Sequence, residues 1–350
     1  MVEIGMDQHK HFSYAVAMDP SSGEKVQQRL EHDDPDAIVR FVRSFGPDVR
    51  VSLETTGNWY WLVDLLEDCG TCVHLVNTVE ARRLHRARNK TDRLDAEALA
   101  RLSSQGLVPT VYVPEREGRD ERERHRYRLW ALKLRTRVKN RIHAILSKLN
   151  IAPGFSDLYG KAGRAFLAGL NLREPYGRQL ASSLRLLDVL DAEIELARQA
   201  IRRHLKDHSQ AALLMTIPGI GELTAYLLLH EIGPIGRFAS HKHFASYACV
   251  AGGAWQSASH RRNVPVGRAG NLYLKAAFTE STLSAIRCNA PLRIFYERIR
   301  RRRGTARALV AVAHKLAIAV YYVLSRNQAY APVRPTNTRR PGKPVLCLGA

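Results

Sequence analysis

The sequence predicts an α/β domain at the amino end, then long helices, then a mostly α-helical carboxy-terminal domain. Three observations carry this. Strand and helix signals alternate over roughly the first hundred residues. Proline is absent from Glu115 to Ala152, while apolar residues recur there at helical spacing. The charge is divided as well: residues 1–106 hold 13 Lys and Arg against 17 Asp and Glu, a net of −4, whereas residues 107–350 carry +25.

The elements follow in order. "EIGMD" and "FSYAVAMD" read as successive strands and "KVQQRLEH" as a weaker third. A helix is expected at 34–45, then the strand "DVRVSLE", a helix from Trp59 to Asp68, the strand "TCVHLV", and a helix opened by Thr91 and Asp92. Three strands in succession before any helix predict an antiparallel meander at the start of the sheet. Further on, Val138, Ile142, Ile145 and Leu149 share one helical seam, and Leu187, Leu190, Ile194, Ala197 and Ile201 share another. Such seams suit long helices packed on each other or on a second subunit. The stretch 153–177, with its Pro and Gly, turns the chain between them. A further unit opens with "IPGIG" and holds a Gly/Ser/Arg-rich loop at 251–271. The tail is rich in proline and base and lacks acids, which predicts disorder. The expected domains are 1–110, 115–208, 211–326 and the tail 327–350.

Over all 350 residues the net charge is +21. A near-neutral head on a strongly basic body points to a polyanionic partner, most simply nucleic acid. The start "MVEIGMDQHK" has an acid at Glu3 and no apolar core, so no secretory signal is expected. The apolar stretch "LVAVAHKLAIAVYYVL" is broken by His314 and Lys315 and reads as a buried helix too short for a bilayer. Five cysteines make no disulfide framework, and the lone pair Cys69 and Cys72 lacks the partners of a zinc site. A cytoplasmic protein with no membrane association is expected.

Asp7 closes the first strand signal and Glu54 closes "RVSLE". Carboxylates at strand ends project toward a shared sheet edge where ligands bind. Asp92 and Asp95, three apart, share one helical face. Four carboxylates in a small volume repel one another unless divalent cations neutralise them. Two Mg²⁺ about 4 Å apart would stabilise the attacking and leaving oxygens of a phosphodiester. The alternative is a helix start in which Asp92 is the N-cap and Asp95 meets the helix dipole. His9, beside Asp7, reads as a packed or hydrogen-bonded histidine, and Lys10 as a group that touches phosphate.

"IGMDQHK", "LETTGNWYW" and "NKTDRLDAEALA" resemble the blocks of the DEDD-type insertion-sequence transposases. "IPGIGELTAYLLLHEIG" and "FASYACVAGGAWQSASHRRNVPVGRAGNLYLKAAF" resemble that family's second, transposase domain. The resemblance runs from Gly5 to about Leu324. It implies a RuvC-like first domain of ribonuclease H fold, with Asp7, Glu54, Asp92 and Asp95 as the catalytic, metal-binding tetrad. The expected metal is Mg²⁺, with Mn²⁺ able to substitute. It also implies a recombinase guided by a bridge RNA, cutting and exchanging DNA strands between donor element ends and target as a homo-oligomer, dimer or tetramer. The family's essential serine falls on Ser257, where alanine replaces the usual following glycine, and Ser259 stands two residues on as the alternative. That serine lies on a domain remote in sequence from the carboxylates, so a composite active site is expected.

Around that serine, Arg261, Arg262 and Arg268 supply charge to hold a scissile phosphate. Gly219 and Gly221 in "IPGIG" resemble a helix-hairpin-helix turn whose N–H groups approach a DNA phosphate. A plain inter-helix turn fits the same residues. From Arg124 to Asn150 there are nine Lys and Arg and no acid. Arg135, Lys139 and Arg141 in that stretch are expected to track phosphates. Two rivals remain: a junction-resolving endonuclease that hydrolyses with metal alone, and a nucleic-acid-binding protein without catalysis. An actin-like sugar kinase would need a glycine-rich loop after the first strand, and "GMDQHKHF" has none.

Overall fold

The computed structural model describes residues 1–54, 59–84, 91–206, 208–257, 260–264, 267 and 269–331, with the backbone alone at 254–257 and 260–264. The chain divides into two compact units, Met1–Arg116 and Glu117–Ala350.

The first unit is α/β. Its strands are β1 (Val2–Gln8), β2 (Phe12–Met18), β3 (Lys25–Glu31), β4 (Val49–Glu54) and β5 (Cys72–Val76), in the sheet order β3-β2-β1-β4-β5. The first three form the antiparallel meander expected from their close succession, and β4 and β5 run parallel to β1. Its helices are α1 (Pro35–Arg43), α2 (Trp59–Asp68), α3 (Thr78–Leu84) and α4 (Asp92–Ser104). The short α3 has too few turns to show a period, and the sequence does not announce it. Ile4, Met6, Val51, Leu53, Leu62 and Leu66 form a fully buried core between the sheet and its helices.

On β1, alternate residues point the same way. Ile4 and Met6 face that core, so Glu3, Gly5 and Asp7 face the other side, where α4 packs. A Cβ at Gly5 would overlap the Ala96 carbonyl oxygen and crowd Ala100 N. Glycine in mid-strand therefore marks a close approach of two backbones. At the far end of α4, Ser103 Oγ donates to Glu3 Oε2 (2.5 Å) and receives Ser52 Oγ (3.0 Å).

The second unit is mostly helical, as expected. It contains α5 (Arg116–Lys148), α6 (Lys161–Gly169), α7 (Tyr176–Leu205), α8 (Ser209–Met215) and α9 (Glu222–Ile232). It continues with α10 (His241–Tyr247), α11 (Leu272–Cys288), α12 (Ala290–Arg303) and α13 (Thr305–Arg326). The long helices α5 and α7 run antiparallel: Tyr127 bonds Glu193, Arg135 pairs with Asp191, and Arg141 bonds Gln179. The segment expected as a loop at 251–271 instead contains a hairpin, β6 (Gly253–Ser257) and β7 (His260–Val264).

The expectation that the last apolar stretch is too short for a bilayer needs correcting. α13 has 22 residues and meets the length and composition needed to cross a membrane. Its packing gives it another role: Val312, Ala313, Leu316, Ala317 and Val320 lie in the core with residues of α8, α9, α10 and α11.

Candidate metal centre and serine hairpin

Asp7 stands near the carboxy end of β1, on the face that receives α4. The last paired residues of β1 and β4 are Met6 and Leu53, so the next positions, Asp7 and Glu54, sit side by side along adjacent strands. Asp92 opens α4 and Asp95 follows one turn later. The N-cap is Thr91, whose side-chain oxygen accepts from Leu94 N (3.3 Å). The alternative in which Asp92 caps the helix is thereby corrected, and its carboxylate is left for other work.

Asp7 and Asp92 converge on His9. His9 Nε2 lies 3.2 Å from Asp7 Oδ2 and 3.2 Å from Asp92 Oδ2. The three groups present ligand atoms within 4.8 Å of one another, a spacing able to hold a metal ion. The His9 ring stacks on Phe12, over which Arg29 is layered 3.8 Å from the ring centroid. The Asp7 side chain is 14% exposed and that of Asp92 44%. Burial raises the Asp7 carboxyl above its usual range; His9 opposes this, and the charges of Asp95 and Asp92 push the same way as burial. A carboxylate raised by neighbouring carboxylates is one that a cation would relieve. The donors, hard oxygens with one imidazole nitrogen at the rim, fit a divalent ion. Lys10, next in the chain, is exposed.

In the second unit, Ser257 ends β6 and pairs with His260, the first residue of β7. Gln256 pairs with Arg261 and Trp255 with Arg262. Ser259 and Arg268 lie outside the described residues. Gly219 has φ +86°, and a Cβ there would overlap the Ser281 carbonyl oxygen on α11. Packing thus accounts for that glycine without a ligand. Gly221 is the N-cap of α9, with open space where a Cβ would be.

The three cations chosen from the basic stretch all have partners. Arg135 pairs with Asp191 at 3.0 Å, Lys139 lies 4.3 Å from the Tyr159 ring centroid, and Arg141 bonds Gln179 at 2.6 Å. The acid missing from this stretch is supplied by α7. Lys133, Arg137 and Lys148 are exposed cations of α5 that make no ion pair among the described residues. His9 and Gly5 also shape the site, and the sequence signals them only weakly. An isolated glycine inside a strand pattern was the available signal for Gly5.

Residues 4–151 match a transposase family model of the IS110 DEDD type, and residues 211–297 match that of the transposase IS116/IS110/IS902 family. Together they span well over half of the chain. The chain belongs to the IS110-type transposases. This transposase is 24% identical to a probable family 20 transposase of Pseudomonas aeruginosa, over 94% of this chain and 98% of that protein. It is 25% identical to the transposase for insertion sequence element IS1328 of Yersinia enterocolitica, over 69% and 71%. A pilin gene-inverting protein of Moraxella bovis is 32% identical over 35% of this chain and 38% of its own length. As a transposase, the protein is an enzyme of DNA recombination.

Proposed function

We propose that this transposase is an RNA-guided DNA recombinase that cuts and joins strands with a Mg²⁺-bound tetrad of Asp7, Glu54, Asp92 and Asp95 and with Ser257 as nucleophile. The convergence of Asp7 with Asp92 and the charge of Asp95, across the close approach at Gly5, is the observation that carries the reading. The meander followed by two parallel strands supports a ribonuclease H-like, RuvC-type first domain. Bound Mg²⁺ would polarise the phosphate and lower the pKa of the attacking hydroxyl. The carboxylates hold and orient it, and His9 must yield its place between Asp7 and Asp92. Ser257 Oγ loses its proton and forms a bond to phosphorus while one bond from phosphorus to a sugar oxygen breaks, that oxygen taking up a proton and leaving as a hydroxyl. That ester conserves the phosphodiester energy needed for rejoining, where hydrolysis would lose it.

Arg261, Arg262 and Arg268 hold the scissile phosphate, and Gly221 N–H, at the amino end of α9, meets a backbone phosphate. The guide is a structured non-coding RNA from the same element, and the enzyme works in the cytoplasm on nucleoid DNA. Exposed Leu186, Val189 and Leu196 on α7, and the exposed Tyr127–Trp130 stack on α5, support a homo-oligomer built through these helices. The test uses a suicide DNA substrate, with and without RNA transcribed from the flanking DNA. Wild type should form a covalent adduct that maps to Ser257, and Ser257→Ala should lose adduct and cleavage together. An adduct on Ser259 would move the nucleophile by two residues. Cleavage by Ser257→Ala with no adduct would replace this reading with metal-dependent hydrolysis.

A further inference from the structure

Glu231 lies near the end of α9, whose second half is otherwise apolar apart from His230 beside it, and is fully buried. A carboxylate in such a place is costly, and a well-packed apolar residue would commonly serve the fold as well. What it holds is therefore informative. Glu231 Oε1 accepts from His125 Nε2 (2.9 Å) and Arg126 Nε (2.9 Å). Glu231 Oε2 accepts from Arg126 Nη2 (3.1 Å) and Asn271 Nδ2 (2.7 Å). His125 and Arg126 come from α5, which is already fastened to α9 by Arg122 at the carbonyls of His230 (2.7 Å) and Glu231 (3.1 Å). The helix pair does not depend on Asn271. That residue belongs to a different structure.

Asn271 is where the chain returns from the β6–β7 hairpin. Its Oδ1 accepts from Tyr273 N and Leu274 N, capping α11. Its backbone N–H donates to the Tyr247 carbonyl (2.7 Å), the last residue of α10, where the chain departs toward the hairpin. Gly270, at φ +150°, has no room for a Cβ against Tyr247 O and Cys249 Sγ. Departure and return of the hairpin segment thus meet at one point, and Glu231 fixes that point from the core. Arg126 also lies 4.7 Å from the centroid of the Tyr273 ring, the second residue after Asn271.

We propose that Glu231 and Asn271 are positioning residues for strand cleavage, holding the base of the β6–β7 hairpin so that its serine is delivered in one orientation. This rests on the reading of Ser257 as the nucleophile. Neither residue touches DNA in this scheme. They act through the hairpin's foundation, and a displacement of about 1 Å at a reacting group can cost on the order of a hundredfold in rate.

Asn271→Ser separates the bridge from the cap, because serine retains an N-cap acceptor but has no amide to reach Glu231. In full-length protein, under conditions where wild type forms its adduct, single-turnover cleavage should fall about a hundredfold. DNA affinity and melting temperature should stay close to wild type. Amide exchange in residues 253–257 and 260–264 should quicken. Asn271→Asp should also lose cleavage, by setting two carboxylates together. Wild-type cleavage by folded Asn271→Ser would overturn the proposal, as would slow cleavage with unchanged hairpin exchange. Failure of the nucleophile reading is seen separately, in cleavage by Ser257→Ala.

Discussion

Asp7 and Glu231 are both carboxylates withdrawn from water, and their surroundings drive them in opposite directions. Burial raises Asp7, and Asp95 and Asp92 add to that against the opposition of His9. Burial would raise Glu231 too, yet hydrogen bonds from His125 and Arg126, the Arg126 charge and Asn271 outweigh it and hold the carboxyl at about 2. One site carries its own cations. The other gathers carboxylates whose charges push Asp7 in the same direction as burial. Under the proposed metal-binding role, the difference separates a carboxylate that supports the fold from one kept for an external cation, a distinction that burial alone does not make.

The contrast is most exposed to stability measurements. Removing one partner of a buried, paired charge costs roughly 3–5 kcal/mol, so Glu231→Ala should sharply destabilise the second unit. Asp7→Asn should leave apo stability unchanged or raise it, because like-charge repulsion falls. Magnesium should raise the melting temperature of wild type and not of Asp7→Asn, since only the former gains a bound ligand. Equal losses in the two variants, or equal magnesium responses, would erase the distinction. Chemical denaturation with and without the metal reads both.

Acid should act on the Asp7 and Glu231 contributions with opposite signs. Asp7 is raised in the folded state, so its contribution is present below its unfolded value and lost as pH rises through the folded one. Glu231 is lowered from 4.5 to about 2, so its contribution is present above 4.5 and lost as pH falls toward 2. His230, pushed from 6.5 to about 4 by burial, adds a loss as pH falls from 6.5 toward 4. Urea titrations at stepped pH, comparing wild type with Asp7→Asn and with Glu231→Gln, should show the Glu231 contribution shrinking on acidification and the Asp7 contribution growing. The same sign for both carboxylates would contradict these assignments.

The smallest effect concerns cations that have internal acids and cations that do not. Replacing Lys133, Arg137 and Lys148 together should flatten the salt dependence of nucleic-acid binding, by up to about one unit of slope for each phosphate no longer neutralised. Replacing Arg135, Lys139 and Arg141 should change the slope less and stability more, because they hold Asp191, Tyr159 and Gln179. Filter-binding titrations over a range of salt distinguish the two triplets. A larger slope change from the second triplet would return the phosphate track to the residues chosen from sequence.

Much of the first unit was legible because its strands alternate and its carboxylates stand at strand and helix ends, where position carries meaning. The β6–β7 hairpin was not, since its glycine, serine and arginine content looks like a loop. The Glu231 assembly was hidden for another reason. "LLLHEIG" shows a single acid in an apolar helix, while His125 and Arg126 lie more than a hundred residues earlier. Only folding brings them together. A separation of 56 residues likewise concealed Asp191 of α7, which serves Arg135 in the basic stretch of α5.

Gly5 has a consequence for how the carboxylate cluster keeps its dimensions. The spacing between Asp7 on the sheet and Asp92 with Asp95 on the helix is set where β1 touches Ala96 and Ala100, main chain against main chain. Such a gauge does not depend on the rotamers of bulky spacers, which drift as sequences diverge. Surface and core changes elsewhere in the unit can accumulate while the gap stays constant. Tolerance to substitution is thereby concentrated everywhere except at one residue without a side chain, and a single methyl group added there would reset the calibration of the whole cluster.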